Sequence, residues 1–185
     1  MQALTDEEGI LAVRLARVEL EKRIGGSRQV PPPLTPVFSE KRGVFVTLTR
    51  DGELRGCIGY PYPHLPLADA IRDAAISAAL GDPRFPQVDA QELPLLRVEI
   101  TILTLPEFLE GDPEARPGTI EVGRHGLIVQ GMGRSGLLLP QVPVEWGWNR
   151  REFLDHTCMK AGLPPGCWKG REVDVFTFEG QIFHE

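Results

Sequence analysis

A predicted β-hairpin in the first half of the chain constrains the fold more than any other segment. Residues 44–49 are rich in β-branched and aromatic side chains, which favour a strand. Arg50-Asp51-Gly52-Glu53 is typical of a tight turn, and residues 54–59, Leu-Arg-Gly-Cys-Ile-Gly, then pair back as the second strand. This arrangement places Cys57 near the far end of that strand.

The second strand carries the residues that most suggest chemistry. Side chains alternate along a strand, so Arg55 and Cys57 point to the same face. A fixed positive charge beside a cysteine favours the thiolate, which is the reactive form. Gly56 and Gly59 leave room for a ligand or another backbone segment. We therefore predict Cys57 and Arg55 as catalytic residues and both glycines as substrate-binding residues. The alternative is a glycine-broken strand around a small, buried and inert cysteine.

The rest of the chain alternates helices with antiparallel hairpins. A capping box at Thr5 to Glu8 predicts the start of a helix that Gly25-Gly26 ends. The other predicted elements are helices over residues 67–80 and 143–161, and strands over residues 96–103, 119–122, 127–132, 137–139 and 171–183. This mixture predicts an α+β fold, a largely antiparallel sheet with flanking helices, within a single domain over residues 1–185.

The composition is that of an ordinary globular protein. Among 185 residues, 42% are hydrophobic and 25% charged, with a formal net charge of −6. An acidic surface disfavours nucleic acid, and no apolar run approaches the ~20 residues of a membrane span. Three widely spaced cysteines do not suggest a disulfide framework, and Cys158 is predicted to lie in the core. With no signal-peptide pattern at the start, we expect a cytoplasmic protein.

His125 is the predicted proton-exchange partner of Cys57, because a cysteine nucleophile needs a base. It lies in a predicted hairpin turn, and the alternative is a surface histidine bonded to a backbone carbonyl. His64 is a second candidate, in a proline-rich loop that could fold back over the thiol. Arg84, in Asp82-Pro83-Arg84-Phe85, is predicted to bind substrate through its charge, although this stretch also suits the end of a helix.

Gln141 and Glu145 are predicted as further substrate-binding residues. Gln141 lies just before the predicted helix of residues 143–161, whose first amides could hold a carboxylate. Glu145 and Asn149 are four apart and share a face of that helix. Ordinary capping and a solvated helix face are the alternative. Trp146 and Trp148 would lie on different faces of the same helix, so at least one is expected in the core.

Metal and cofactor sites are not predicted. No Cys or His pair has the spacing of a zinc site. The glycine-rich stretches lack phosphate-binding spacing and instead suit turns. We therefore predict neither a metal ion nor a cofactor.

Residues 54–59 resemble the signature of the AMMECR domain family. Later stretches resemble that family in the same order, over roughly residues 5 to 180. They are Ala74-Ala75, Asp82 to Phe85, Val98 to Ile100, Val122 to Leu127, Gly136 to Val142, Trp146 to Trp148, Phe153-Leu154 and Lys160 to Leu163. The resemblance implies an α+β fold of two unequal lobes around a cleft, with residues 54–59 near the cleft and the 119–142 meander in the smaller lobe.

The resemblance implies partners but no defined reaction. Prokaryotic members of the family appear alongside a dioxygenase-like protein of the mediator-of-motility family and a radical S-adenosylmethionine enzyme, which implies a shared pathway. Two functions remain open: cysteine-dependent chemistry at Cys57, and a non-catalytic adaptor that docks a partner, a peptide or a small molecule. A nucleic-acid factor is a third reading, which the acidic charge disfavours.

Overall fold

The chain divides into two compact units in the computed structural model, which describes residues 3–185. The first unit comprises the chain up to Leu103 together with Gln181–Glu185, and the second unit is Thr104–Gly180. The helices are α1 Asp6–Gly25, α2 Leu67–Leu80, α3 Arg116–Thr119, α4 Gln141–Glu145 and α5 Arg150–Lys160. The strands are β1 Val44–Arg50, β2 Glu53–Tyr60, β3 Leu96–Leu103, β4 Glu107–Phe108, β5 His125–Gly131, β6 Arg134–Leu138 and β7 Val173–His184.

In the first unit, α1 and α2 pack on one face of a sheet. Its strand order is β2-β1-β3, with the last part of β7 beside β3, and β1 is antiparallel to both neighbours. Alternate residues of β1, Val44, Val46 and Leu48, are fully buried in the core beneath the helices. Phe45 and Thr47 lie on the opposite face and are half-buried. The predicted α+β class and antiparallel sheet are therefore confirmed.

Local sequence signals explain the ends of these elements. The Thr5 hydroxyl accepts from the amide of Glu8, and the Glu8 carboxylate accepts from the amide of Thr5, so the predicted capping box is present. Asp51 and Gly52 both have positive φ, 52° and 83°, as the tight turn between β1 and β2 requires.

The second unit is a smaller sheet with its own core. β5 pairs with β6 and β7, and β4 pairs with β7, all antiparallel. Phe153 and Leu154 of α5 pack with Leu127, Val129 and Val175 of the strands. The 119–142 segment lies within this unit.

Two predicted elements of the second unit are wrong. The predicted strand 119–122 is the end of α3 followed by a turn, because the buried Arg116 guanidinium ties this segment to the carbonyls of Trp168 and Val173. The predicted helix 143–161 is two helices. Gly147 adopts φ 67°, which breaks the first helix, and Asn149 caps α5 by accepting from the amides of Arg151 and Glu152.

A disulfide between Cys158 and Cys167 also corrects the sequence analysis. The two Cα atoms are 6.0 Å apart, and Cys57 is the free cysteine. The chain turns back after α5, where the Asp155 carboxylate accepts from the Gly166 amide and the Trp168 indole N–H, each at 2.7 Å. Cys158 is fully buried, so its predicted place in the core is confirmed.

Within the described residues, no helix has both the length and the apolar character that crossing a bilayer requires.

The disulfide should stabilise the second unit measurably. A cross-link that closes a loop of about ten residues stabilises a protein by about 2–3 kcal/mol through the unfolded state. We expect a Cys158→Ala/Cys167→Ala variant to lose about that much free energy of unfolding in guanidinium chloride, whereas Cys57→Ser should stay within ~0.5 kcal/mol of the parent. Under denaturing, non-reducing conditions the parent should titrate one thiol per chain, and three would contradict the disulfide.

Candidate functional site

Cys57 lies on β2, the strand at the end of the first unit's sheet. Its direct neighbour on β1 is Thr47, and the Thr47 hydroxyl oxygen is 3.2 Å from the Cys57 sulfur. The residue is half-buried and faces away from the helices, on the side of the sheet that also carries Phe45. The thiol is therefore neither sealed in the core nor fully exposed.

The backbone of Cys57 is held from the open side of β2 by Asp82 and Arg84. The Cys57 amide donates to Asp82 Oδ2 at 2.9 Å, and its carbonyl accepts from Arg84 Nη2 at 3.3 Å. The Arg84 guanidinium also donates to both carboxylate oxygens of Asp82, at 2.9 and 2.6 Å. These bonds occupy backbone groups that an end strand otherwise leaves unpaired.

Asp82 is ionised and almost completely buried, with 5% of its surface exposed. The hydrogen bonds from the Arg84 side chain hold the pKa of Asp82 far below its usual value. Burial acts in the opposite direction, and the Cys57 amide adds to the lowering. The predicted Arg84 therefore lies beside Cys57, with its guanidinium engaged by Asp82 and by the Cys57 carbonyl. Its role in binding substrate stays a prediction.

Arg55 is engaged by a carboxylate rather than by the thiol. Its Nε and Nη2 atoms donate to the two oxygens of Glu92 at 2.7 and 3.0 Å, and Arg50 lies 3.3 Å from the same carboxylate. The Arg55 bonds are the main reason why the pKa of Glu92 is lowered. Arg55 also falls at a bulge, where β2 has a residue without a partner on β1. Its predicted catalytic role remains a prediction, and its charge is balanced by Glu92.

One nitrogen of the Arg55 guanidinium takes no part in the bonds to Glu92. The Nη1 atom is buried and has no hydrogen-bond partner among the described residues. A buried donor without an acceptor is unfavourable. A ligand oxygen that reached it would therefore replace a missing bond rather than displace an existing one.

The glycines flanking Cys57 are explained by close backbone contacts. A methyl group on Gly56 would collide with the Ala78 carbonyl of α2, and one on Gly59 would collide with backbone atoms of Val44 and Phe45. Gly56 thus lets α2 pack directly on β2. The predicted role of Gly56 and Gly59 in substrate binding is not needed to explain their presence and stays a prediction.

The other predicted site residues belong to the second unit. His125 is the first residue of β5, and its Nδ1 accepts from the Glu121 amide at 3.2 Å. Gln141 and Glu145 are exposed at the two ends of α4. Glu145 does not share a helix with Asn149, which corrects the predicted common face. The pairing of His125 with Cys57 and the binding roles of Gln141 and Glu145 stay predictions.

Sequence reasoning missed Thr47 and Asp82, which contact Cys57, and Glu92, which pairs with Arg55. For Asp82, the sequence offers one signal of a side-chain clamp, an Asp two residues before an Arg directly after a predicted helix. Thr47 and Glu92 have no such signal. The contact of Thr47 depends on the register of β1 and β2, and that of Glu92 depends on tertiary packing that brings residue 92 to Arg55.

Comparisons with known proteins agree with this fold. The AMMECR1 family model matches residues 13–183. A protein of Methanothermobacter thermautotrophicus is 53% identical over 98% of this chain and 96% of its own length, and one of Methanosarcina acetivorans is 54% identical over 98% and 94%. The crystal structure of an uncharacterized protein from Pyrococcus horikoshii superposes with a TM-score of 0.84, at 51% identity, over 98% of this chain and 93% of that one. With this match in sequence and fold, the chain belongs to the AMMECR1 family.

Proposed function

We propose that the protein binds a small-molecule or peptide ligand beside Cys57 and that the Cys57 thiolate reacts with it. The observation that carries this proposal is a difference between the backbone and the side chain of Cys57. The backbone of Cys57 is fixed by a buried carboxylate and a guanidinium, whereas its half-buried sulfur has one hydrogen-bonding contact among residues 3–185, the Thr47 hydroxyl. A reactive group is effective when its surroundings hold it in place and leave the reacting atom accessible.

The surroundings offer the thiol specific help. The Thr47 hydroxyl lies within hydrogen-bonding distance of the sulfur and can donate to a thiolate. Arg55 Nη1 offers a donor without an acceptor to a ligand oxygen. His125 would exchange protons with the ligand, and Arg84, Gln141 and Glu145 would contact it. Placement of this surface beside a cleft, which the resemblance implies, is part of the proposal.

The proposal includes the cellular setting implied by the resemblance. The protein would act in the cytoplasm in one pathway with a dioxygenase-like protein of the mediator-of-motility family and a radical S-adenosylmethionine enzyme. The disulfide is compatible with this setting, since intracellular proteins of hyperthermophilic archaea are rich in disulfides. A relative with a solved structure comes from Pyrococcus horikoshii.

A non-catalytic adaptor is the second candidate function. Both glycines are explained by backbone contacts, and Arg55 is balanced by Glu92, so residues 54–59 can also be a rigid docking surface without chemistry. The two candidates differ in what they require of the sulfur. A Cys57→Ser variant keeps the backbone clamp, so an adaptor would retain its binding and its biological function.

Alkylation rates test the reactive thiol. Because Cys158 and Cys167 are joined, iodoacetamide labels the native protein only at Cys57. We expect labelling at pH 6 to be faster than that of a free peptide of sequence Leu-Arg-Gly-Cys-Ile-Gly. Thr47→Val should slow labelling about fivefold, the equivalent of one hydrogen bond of about 1 kcal/mol. Thr49→Val is the matched control, because Thr49 pairs with Leu54 and should leave the rate unchanged.

Labelling no faster than the peptide would reject the reactive thiol and leave the adaptor. Mass spectrometry of the freshly purified intact protein gives an independent measurement, since a covalent adduct that is absent from Cys57→Ser would identify the bound group. Proton exchange by His125 would be supported if a His125→Ala variant labels at the parent rate but its covalent adduct on Cys57 no longer disappears over time. Unchanged turnover would remove His125 from the site.

Acid titration tests the clamp that holds Cys57. The folded-state pKa of Asp82 is lowered, so its stabilising effect is complete above the unfolded pKa near 3.8 and is lost as the pH falls below it. We expect Asp82→Asn to lose about 2 kcal/mol of unfolding free energy at pH 6, as for lost hydrogen bonds to a charged group. The difference from the parent should shrink below about pH 4.

Asp69→Asn is the control for this titration. Asp69 pairs with Arg72 on the exposed side of α2, at 3.0 Å, and should change stability by less than ~0.5 kcal/mol at any pH. A pH-independent loss in Asp82→Asn would show that its effect is steric and not due to the buried charge. Urea unfolding monitored by tryptophan fluorescence at several pH values provides the measurement.

A further inference from the structure

An exposed tryptophan, held by ring stacking, marks a surface of the second unit that has no assigned role so far. Trp146 is 70% exposed, between α4 and α5. Its ring stacks on Trp148 with centroids 6.1 Å apart, and Trp148 stacks on His156 of α5 at 3.7 Å. The two tryptophans do not lie on different faces of one helix, as the sequence had suggested, because the helix is interrupted here. The stack holds the indole in place.

An open cavity of about 510 Å³ lies at the start of α5. It is lined by Pro117, Gly118, Val122, Asn149, Arg150 and Arg151. Val144, which is 59% exposed, approaches Gly123, the residue next to Val122, so that a methyl group on Gly123 would meet it at 3.2 Å. Val144 therefore lies beside the cavity, and Trp146 precedes the cavity residue Asn149 by three residues in the connection from α4 to α5. We call Val122, Val144, Trp146, Arg150 and Arg151 the tryptophan-arginine patch.

The charged residues of the cavity are all cationic. Arg150 and Arg151 are exposed, and neither has an ion pair or a side-chain hydrogen bond among residues 3–185. This local positive charge contrasts with the formal net charge of −6 of the whole chain. Such cations attract carboxylates, and the apolar walls accept an aliphatic or aromatic side chain.

We infer that the tryptophan-arginine patch docks an acidic segment of a partner protein. An apolar side chain of that segment would enter the cavity, its carboxylates would pair with Arg150 and Arg151, and Trp146 would cover it. Binding energy at protein interfaces concentrates in Trp and Arg side chains surrounded by apolar contacts, which is the composition seen here. The cavity has the size of a pocket for one or two side chains.

A protein segment fits the patch better than a nucleic-acid strand. Both ligands could use the stacked rings and the guanidiniums. A strand, however, carries a charge at every nucleotide and needs a longer basic track. Two arginines on an acidic protein do not provide one. A protein segment can instead bring an aliphatic or aromatic side chain to the apolar walls together with carboxylates for the two arginines.

Fluorescence anisotropy with the full chain tests the inference. The probe is a fluorescein-labelled peptide, Gly-Glu-Asp-Glu-Leu-Asp-Glu-Asp-Gly. One control peptide replaces every acidic residue by Lys, and a second control peptide replaces the Leu by Ser. We expect the acidic Leu peptide alone to bind saturably. Arg150→Glu/Arg151→Glu and Trp146→Ala should each weaken it ~10-fold or more. Glutamates in the first turn of α5 suit the helix dipole, so the charge-reversed variant should remain folded.

The matched control reverses two exposed arginines of the first unit. Arg14→Glu/Arg28→Glu makes the same change in net charge on exposed residues of the first unit and should bind the peptide like the parent. If both double variants weakened peptide binding equally, the effect would come from net charge alone, which would overturn the inference. Absence of saturable binding, or tighter binding of a fluorescein-labelled oligothymidylate than of the peptide, would also overturn it. Because Cys57→Ser should bind like the parent, failure here leaves the proposal for the thiol intact.

Discussion

The buried carboxylate of Asp82 is the interaction on which the position of the thiol depends. It lies just after α2 and accepts from the amide of Cys57, so it joins the end of a helix to the open edge of the sheet. The same helix end approaches β2 closely because Gly56 has no side chain. Helix, strand and loop are thereby fixed to one another at Cys57. Loss of the carboxylate would release the edge and leave Arg84 without its principal partner.

Much of the first unit could be predicted from local sequence, but the surroundings of the thiol could not. The capping box of α1 and the Asp51-Gly52 turn are local signals, and both are present in the structure. Counting back from the turn would pair Thr47 with Gly56. A bulge beside Arg55 shifts the register and brings Thr47 opposite Cys57. No local sequence pattern predicts the bulge or the pairing of Glu92 with Arg55, since both depend on tertiary packing.

The second unit shows where periodicity alone misleads. Residues 143–161 fit a helical pattern, yet Gly147 adopts a conformation that ends one helix, and Asn149 begins another. The Asn-x-x-Glu spacing of Asn149 and Glu152 was visible in the sequence as a capping signal. The disulfide was harder to foresee. An odd number of cysteines does not say which two meet, and Cys158 reaches Cys167 only after a turn fixed by Asp155.

The pairing of Arg55 with Glu92 changes where activation of the thiol must come from. A guanidinium already balanced by a carboxylate adds little positive potential at a neighbouring sulfur. The polar groups that remain are the Thr47 hydroxyl beside the sulfur and the buried, unsatisfied Nη1 of Arg55. The reactive thiol that we propose therefore depends on the Thr47 hydroxyl more than on the charge of Arg55. In these two proposals, ligand selection would lie with the groups around the sulfur, and partner docking with the tryptophan-arginine patch of the second unit.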